Sequence, residues 1–326
     1  MTDKQLAVVV LAAGEGTRMK SAKPKVMHEL AGIPLLGHAL ATATELGADF
    51  VVPVIRHQRD LLAEYIHQNF SSANIADQDA IPGTGRAVEC GLAALPEDFS
   101  GSVVVTSGDV PLLDVETLQA LVEIHTENGN AATILTAIMD DPTGYGRIVR
   151  GQEGAFERIV EQRDASDEQL EILEVNAGVY VFDGALLRDA LSQVGTNNSQ
   201  AEKYLTDVAA GLLTSGHSVE ALAVTDNWLV AGINDRVQLA EVASELNYRL
   251  CEAWMRAGVT ILDPNSTWID LGVQLAEDVT ILPGTHLRGA TSIGRGSIVG
   301  PEVVMIDTEV GEFANVVKSH ISGSKI

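Results

Sequence analysis

A chain of 326 residues with 46% hydrophobic and 20% charged side chains is long enough for more than one core and reads as globular protein. Its 45 acids against 21 bases give a formal net charge of -24, which leaves no basic stripe for wrapping nucleic acid. The longest early apolar run, residues 6–13, is too short for a membrane span and follows a short polar leader. Cys90 and Cys251 form neither a disulfide framework nor a metal spacing, so a cytoplasmic protein without a signal peptide is expected.

Apolar β-type runs predict strands over residues 6–12, 50–55, 102–106, 131–138 and 175–182. Between them, residues 34–46, 59–68, 86–95 and 115–127 carry apolar side chains at three- and four-residue spacing, as helices do. This alternation predicts an α/β fold, a Rossmann-like mixed and mostly parallel sheet with helices on both faces. Ligands of such sheets bind at the carboxyl ends of the strands, so the loops after Leu11 and Thr106 are where chemistry is expected.

Residues 234–256 then read as one long amphipathic helix with almost no turn signal, connecting two domains. Beyond Trp268 the period becomes six: Ile269, Leu275, Ile281, Leu287, Ile293, Val299 and Met305 keep step, and Val310 and Val316 continue after a one-residue contraction. Short strands with glycine corners at this spacing predict a left-handed parallel β-helix, here partial. The expected organisation is an α/β domain over 1–233, a linker helix over 234–257 and hexapeptide repeats over 258–326.

The loop Ala13-Gly14-Glu15-Gly16-Thr17-Arg18-Met19 follows the first buried strand, and Pro24-Lys25 follows the loop. Two glycines let backbone N–H groups approach phosphate oxygens closely. Arg18, Lys20, Lys23 and Lys25 concentrate positive charge there in a base-poor chain. A dinucleotide-binding fingerprint is excluded because Met19 stands where its third glycine belongs, and a P-loop because Gly-Lys-Ser/Thr is absent.

With those residues in place, Leu11-x2-Gly14-x-Gly16-Thr17-Arg18-Met19 with Pro24-Lys25 resembles the fingerprint of the nucleoside-diphosphate-sugar pyrophosphorylases. Gly83-Thr84-Gly85, Ser107-Gly108-Asp109-Val110-Pro111, Asp141-Pro142-Thr143-Gly144-Tyr145-Gly146-Arg147, Ile159-Val160-Glu161, Asn176-Ala177-Gly178 and Gly232-Ile233-Asn234 follow in that family's order. Together with the six-residue repeats they resemble the bifunctional bacterial enzymes that join an N-acetylglucosamine-1-phosphate uridyltransferase to a glucosamine-1-phosphate acetyltransferase.

The resemblance implies UTP and N-acetylglucosamine-1-phosphate as substrates, UDP-N-acetylglucosamine and pyrophosphate as products, magnesium as cofactor, and a place in cell-wall precursor supply. Full-length members are implied to be homotrimers, without nucleic-acid or membrane partners. The resemblance makes Arg18 and Lys25 the catalytic cations, the first holding the departing phosphates and the second near the α-phosphate as charge develops. Leu11, Ala12, Ala13 and Gly14 would line the nucleotide, and Gln78, Gly83 and Thr84 would read uracil. Gly146, Glu161 and Asn176 would hold the sugar, Gly146 making room for the N-acetyl side; the segment Tyr204-Leu-Thr206-Asp207 would line the same pocket. Asp109 and Asn234 would bind the metal, and Asn234 would also touch substrate.

Taken alone, an Asp after a strand is more often a turn or cap, Asn234 could equally cap the linker helix, and Glu161 on an alternating strand could face water. Ile81 and Pro82 replace an amide and an aliphatic side chain of some relatives, which leaves one base contact missing or replaced. Glu15 is unusual in an anion-binding loop unless it points to solvent. Acetyl transfer in the family uses a histidine and basic and aromatic residues on later coils. His286 and His320 match none of those motifs, so acetyltransferase activity is expected to be absent. A pyrophosphorylase for another sugar 1-phosphate and a non-catalytic sugar-nucleotide binder are the rival readings. A glycosyltransferase would want an Asp-x-Asp motif.

Overall fold

The computed structural model describes residues 5–326, which form two compact units. The first takes in the chain up to Met27 and Leu35–Asn234; the second is His28–Pro34 with Asp235–Ile326. The stretch expected as one domain over 1–233 is thus interrupted by seven residues that belong to the second unit.

In chain order the elements are β1 (Leu6–Leu11), the hairpin β2 (Glu29–Leu30) and β3 (Ile33–Pro34), α1 (Leu35–Glu45), β4 (Phe50–Ile55), α2 (Arg59–Asn69) and β5 (Ala76–Asp77). Then come α3 (Thr84–Ala93), β6 (Ser102–Ser107), α4 (Val115–Asn128), β7 (Ala132–Ile138), β8 (Arg147–Arg150) and β9 (Phe156–Val160). The first unit closes with α5 (Asp167–Leu170), β10 (Glu174–Asp183), α6 (Gly184–Gln193), α7 (Thr206–Thr214) and β11 (Val219–Ala223).

Its main sheet runs β11-β7-β10-β6-β1-β4-β5. β1 is parallel to β4 and β6, β4 to β5 and β11 to β7, while β10 is antiparallel to both its neighbours. The apolar runs are continuous because these strands are covered on both faces. Alternate side chains enter separate cores: Ala7, Val9, Val52 and Val103 on one face, Val8, Val10, Val51 and Val104 on the other.

Helix ends follow local chemistry. Asp114 Oδ1 accepts from Thr117 N at 2.9 Å to open α4, and Gly129 at φ 60° closes it. The third helix starts at Thr84, two residues ahead of expectation, because the chain turns sharply at Gly83. The hairpin β8–β9, strand β11 and helices α6 and α7 went unanticipated. Their apolar runs are short and interrupted by glycine and polar residues.

In the second unit α8 spans Arg236–Arg256 and is capped by Asp235, whose Oδ1 accepts from Val237 N at 2.8 Å and Gln238 N at 2.9 Å. The cap is therefore Asp235, not Asn234. After α8, eleven short strands from β12 (Thr260–Ile261) to β22 (His320–Ser322) stack into three parallel ladders, the three-sided coil of a left-handed β-helix. Ile269 stacks on Leu287 and Leu287 on Met305, one from each turn, and the contraction before Val310 still leaves it paired with Ile293. The stacking begins one side earlier than the sequence pattern, at Ile261 on Ile281, and reaches Ile321 on Met305.

Asn247 of α8 closes the first turn of this coil. Its Nδ2 donates to Thr267 O at 2.7 Å and its Oδ1 accepts from Ile269 N at 3.1 Å. Cys251, one helical turn on, is fully buried there, and burial pushes its thiol up to about 11. The β2–β3 hairpin joins the same layer through Leu271 N donating to Ala31 O at 3.1 Å. Among the described residues no helix is long and apolar enough to cross a membrane.

Candidate active site

Four parallel strands, β6, β1, β4 and β5, bring their carboxyl ends to one edge. Backbone bonds from Gly108 N to Leu11 O, Ala12 N to Val54 O and Gln78 N to Ile55 O, each 2.9 Å, carry the parallel register past the strand ends. Four loops therefore leave the edge side by side.

In the loop after β1, Gly16 sits at φ 66°, and a Cβ there would lie 2.5 Å from Lys25 Cβ. Only glycine permits both the left-handed turn and the approach of Lys25. Met19 and Pro24 are buried and pin the loop, whereas Glu15 is exposed and borders the same cleft as Lys25.

Lys25 Nζ forms an ion pair with Asp109 Oδ2, and both side chains are largely buried, 13% and 14% exposed. The same ammonium donates to Asn234 Oδ1 at 3.2 Å, and Arg18 Nη2 donates to that oxygen at 2.8 Å. The other oxygen of Asp109 accepts from Ser107 Oγ at 2.5 Å. Ile233 N donates to Asp109 O at 2.9 Å, which fixes the Gly232-Ile233-Asn234 segment beside the loop after β6. Residues far apart in sequence thus form one cluster of two cations and three oxygen-bearing side chains.

That cluster borders a cleft of about 440 Å³. Leu11, Ala12, Ala13 and Gly14 line one wall with Lys25 and Asp109, and Gln78, Gly83 and Thr84 line the other. Gln78 Nε2 donates to Ile81 O at 3.1 Å and Gly83 O at 3.2 Å, so its Oε1 is the atom left for a ligand. At Gly83, φ 113°, a Cβ would overlap the backbone of Lys203. Gly85 N donates to Lys203 O at 2.8 Å, and Leu205 N to Thr84 Oγ1 at 3.1 Å. This loop is therefore clamped to the chain entering α7.

The residues expected on the sugar lie outside that cleft. Glu161 lines a neighbouring depression of about 270 Å³ with Asp164, Tyr204, Thr206 and Asp207. Its Oε1 accepts from Thr206 Oγ1 at 3.1 Å, and burial raises its carboxyl, reinforced by Asp207, Asp164 and Glu202. Asn176 Nδ2 donates to Tyr180 Oη at 2.6 Å, and its Oδ1 accepts from Gly178 N at 3.1 Å. The missing side chain of Gly146 faces Ile159, whose Cγ2 would be 3.0 Å from a Cβ. Glycine there serves the packing of β8 on β9. Its buried backbone adjoins Asn176, whose N–H donates to Gly146 O at 2.9 Å.

Ser107, Arg56, His57 and Glu202 also line the main cleft and were not singled out from sequence. Tyr145 lies in the segment between β7 and β8. Its phenol is raised by burial and by the charge of Asp109, against a hydrogen bond from the Gly232 backbone. A larger depression of about 490 Å³ between α6 and α7 shares Asp207 with the Glu161 depression and carries no other candidate residue.

The strand order and the glycine loop define a nucleotidyltransferase class: the family described as the MobA-like NTP transferase domain matches residues 8–171. The bifunctional protein GlmU of Clavibacter sepedonicus is 60% identical over 311 residues, covering 95% of this chain and 63% of its own length. That of Pseudarthrobacter chlorophenolicus is 53% identical, covering 98% and 65%, and that of Mycolicibacterium smegmatis 50% identical, covering 99% and 68%. The chain belongs to the GlmU family. It spans 61–65% of the length of the first four relatives it matches. A solved structure from Bacillus anthracis named as a glucose-1-phosphate thymidylyltransferase shares the fold, with a TM-score of 0.59 at 18% identity over 74% of this chain and 94% of that one.

Proposed function

We propose that this chain transfers UMP from UTP to N-acetylglucosamine-1-phosphate, giving UDP-N-acetylglucosamine and pyrophosphate in the cytoplasm. The observation that carries the reading is the convergence of Lys25, Arg18, Asp109 and Asn234 at the mouth of a glycine-lined cleft. A sugar-phosphate oxygen attacks the α-phosphorus, the new P–O bond forms, and the bond to the β-phosphate breaks in line. No carbon chemistry is needed, so the protein's work is to bring two anions together and neutralise them.

Arg18 is exposed at the loop tip and suits the departing phosphates, while Lys25 is held in the cleft wall near the α-phosphate. Leu11, Ala12, Ala13 and Gly14 offer backbone to the nucleotide. Gln78, Gly83 and Thr84 take the base, with the free Oε1 of Gln78 suited to a ring N–H. Glu161 and Asn176 serve the sugar hydroxyls, beside the backbone of Gly146.

A divalent metal, magnesium by the chemistry of the donors, fits Asp109 and Asn234. Their oxygens already converge on a positive charge, that of Lys25, and magnesium asks for only one or two protein oxygens. The ion would neutralise phosphate charge. Ser107 orients Asp109, and Ile233 N–H holds Asn234 beside it.

The test is pyrophosphate release with UTP and a panel of sugar phosphates in the presence of magnesium. The expected outcome is turnover with N-acetylglucosamine-1-phosphate well above that with glucose-1-phosphate. Equal rates would remove the sugar assignment, and no turnover with any sugar phosphate would remove the function.

A further inference from the structure

The cleft holds a second cation besides Lys25 among the described residues, Arg56. Arg56 follows β4 directly and lines the cleft half-exposed, and its guanidinium has no ion-pair or hydrogen-bond partner among the described residues. Asp79 feels its charge, but the carboxylate of Asp79 is already taken by Arg86, whose Nη2 lies 2.6 Å from Oδ2. A guanidinium carries five donors in a fixed plane, so an unpaired one facing a polar cleft is suited to ligand acceptors.

Its place along the sheet edge says which ligand part it meets. The edge runs from β6, with Asp109, through β1, with Ala12–Gly14, then β4, with Arg56, to β5, with Gln78. Asp109 and the glycine loop occupy the phosphate side; Gln78 and the start of α3 occupy the base side. Arg56 leaves the edge immediately beside Gln78, whose N–H donates to Ile55 O.

The base side is short of donors. Gln78 has spent its amide N–H groups on Ile81 O and Gly83 O and presents only an acceptor. Ile81 brings no polar side-chain atom, and Pro82 has no N–H. Gly85 N is committed to Lys203 O. A uracil ring offers an acceptor, a donor and an acceptor: two carbonyls flanking N3–H. Gln78 Oε1 answers the N–H, and the backbone N–H groups at Gly83 and Thr84 can answer one carbonyl.

We infer that Arg56 is a nucleotide-specificity residue whose guanidinium donates to a carbonyl of the pyrimidine ring. This deepens the uridyl-transfer reading and rests on it. A carbonyl-bearing ring is favoured; a ring with an amino group at that position would set its donor against the guanidinium.

The experiment measures UTP and CTP binding by titration calorimetry, and kcat and KM with N-acetylglucosamine-1-phosphate, for the wild type, Arg56→Gln and Arg56→Lys. Loss of a charged hydrogen bond should weaken UTP about 10-fold or more in Arg56→Gln. The UTP-over-CTP preference should shrink, the KM for the sugar phosphate should hold, and Arg56→Lys should recover part of the loss. Unchanged UTP affinity in Arg56→Gln would overturn the inference while leaving uridyl transfer standing. Equal weakening of UTP and CTP would put the guanidinium on phosphate and also overturn it. Failure of the wild type to bind UTP would overturn the underlying reading itself.

Discussion

Replacing Gly16 by alanine separates what the glycine loop does for the fold from what it does for the site. The residue sits at φ 66°, where an L side chain costs about 1–2 kcal/mol. For a unit of this size each kcal/mol lowers Tm by about 2–4 °C, so a fall of about 2–8 °C is expected. The added Cβ would also stand 2.5 Å from Lys25 Cβ, well inside the 3.4 Å at which ordinary contact begins. Relief requires Lys25 to retreat by roughly 1 Å from its place beside Asp109, and a misplacement of that order costs about 100-fold in rate. Gly14→Ala is the control. Nothing lies within 4 Å of its virtual Cβ and its φ is unremarkable, so stability should hold while the methyl group intrudes on the cleft. Melting curves and kcat on both variants check this. A Gly16→Ala enzyme with wild-type kcat, or a Gly14→Ala variant equally destabilised, would refute the argument.

Removing an oxygen or the cation from the central cluster should act on rate rather than folding. Asp109→Asn, Asn234→Ala and Lys25→Ala are each expected to lower kcat by about 100-fold or more, read by pyrophosphate release across a magnesium titration. Glu161→Gln should raise Tm at pH 7. Burial raises this carboxyl above its ordinary value of 4.5, so ionisation works against folding as pH rises through the raised value. The gain should fade as pH falls toward 4.5, and the KM for the sugar phosphate should rise in the same variant; melting at several pH values with parallel kinetics shows both. Asn247→Ala strips partners from Thr267 O and Ile269 N in a buried place and should destabilise the second unit by about 2–4 kcal/mol, visible in denaturant melts.

The sheet was legible because its central strands are covered on both sides, so β1, β4, β6 and β7 appear as unbroken apolar runs. The coil was legible because one inward residue per side must recur every six positions. What stayed hidden depends on pairing through space. The β8–β9 hairpin has a buried face of only a few residues, and β10 reads like its parallel neighbours although it runs against them. In the site, Arg18, Lys25 and Asp109 could be picked out from their loops, but the shared contact on Asn234 could not, since 209 residues separate Asn234 from Lys25. Arg56 and His57 carry no motif of their own. Their exposure to the cleft follows only from β4 lying between β1 and β5.

The hairpin at His28–Pro34 has a consequence for anyone wishing to dissect the chain. A cut after Asn234 looks like the natural seam, yet it would leave β2 and β3 on the wrong fragment. Leu30, 1% exposed, would lose the layer that covers it, three residues past the turn that carries Lys25. The two units are threaded through one another in sequence and cannot be unstrung at a single point. A protease that nicks the chain at that seam should yield two pieces that still travel together on a sizing column, and a stand-alone catalytic fragment would first need those seven residues replaced by a short polar turn.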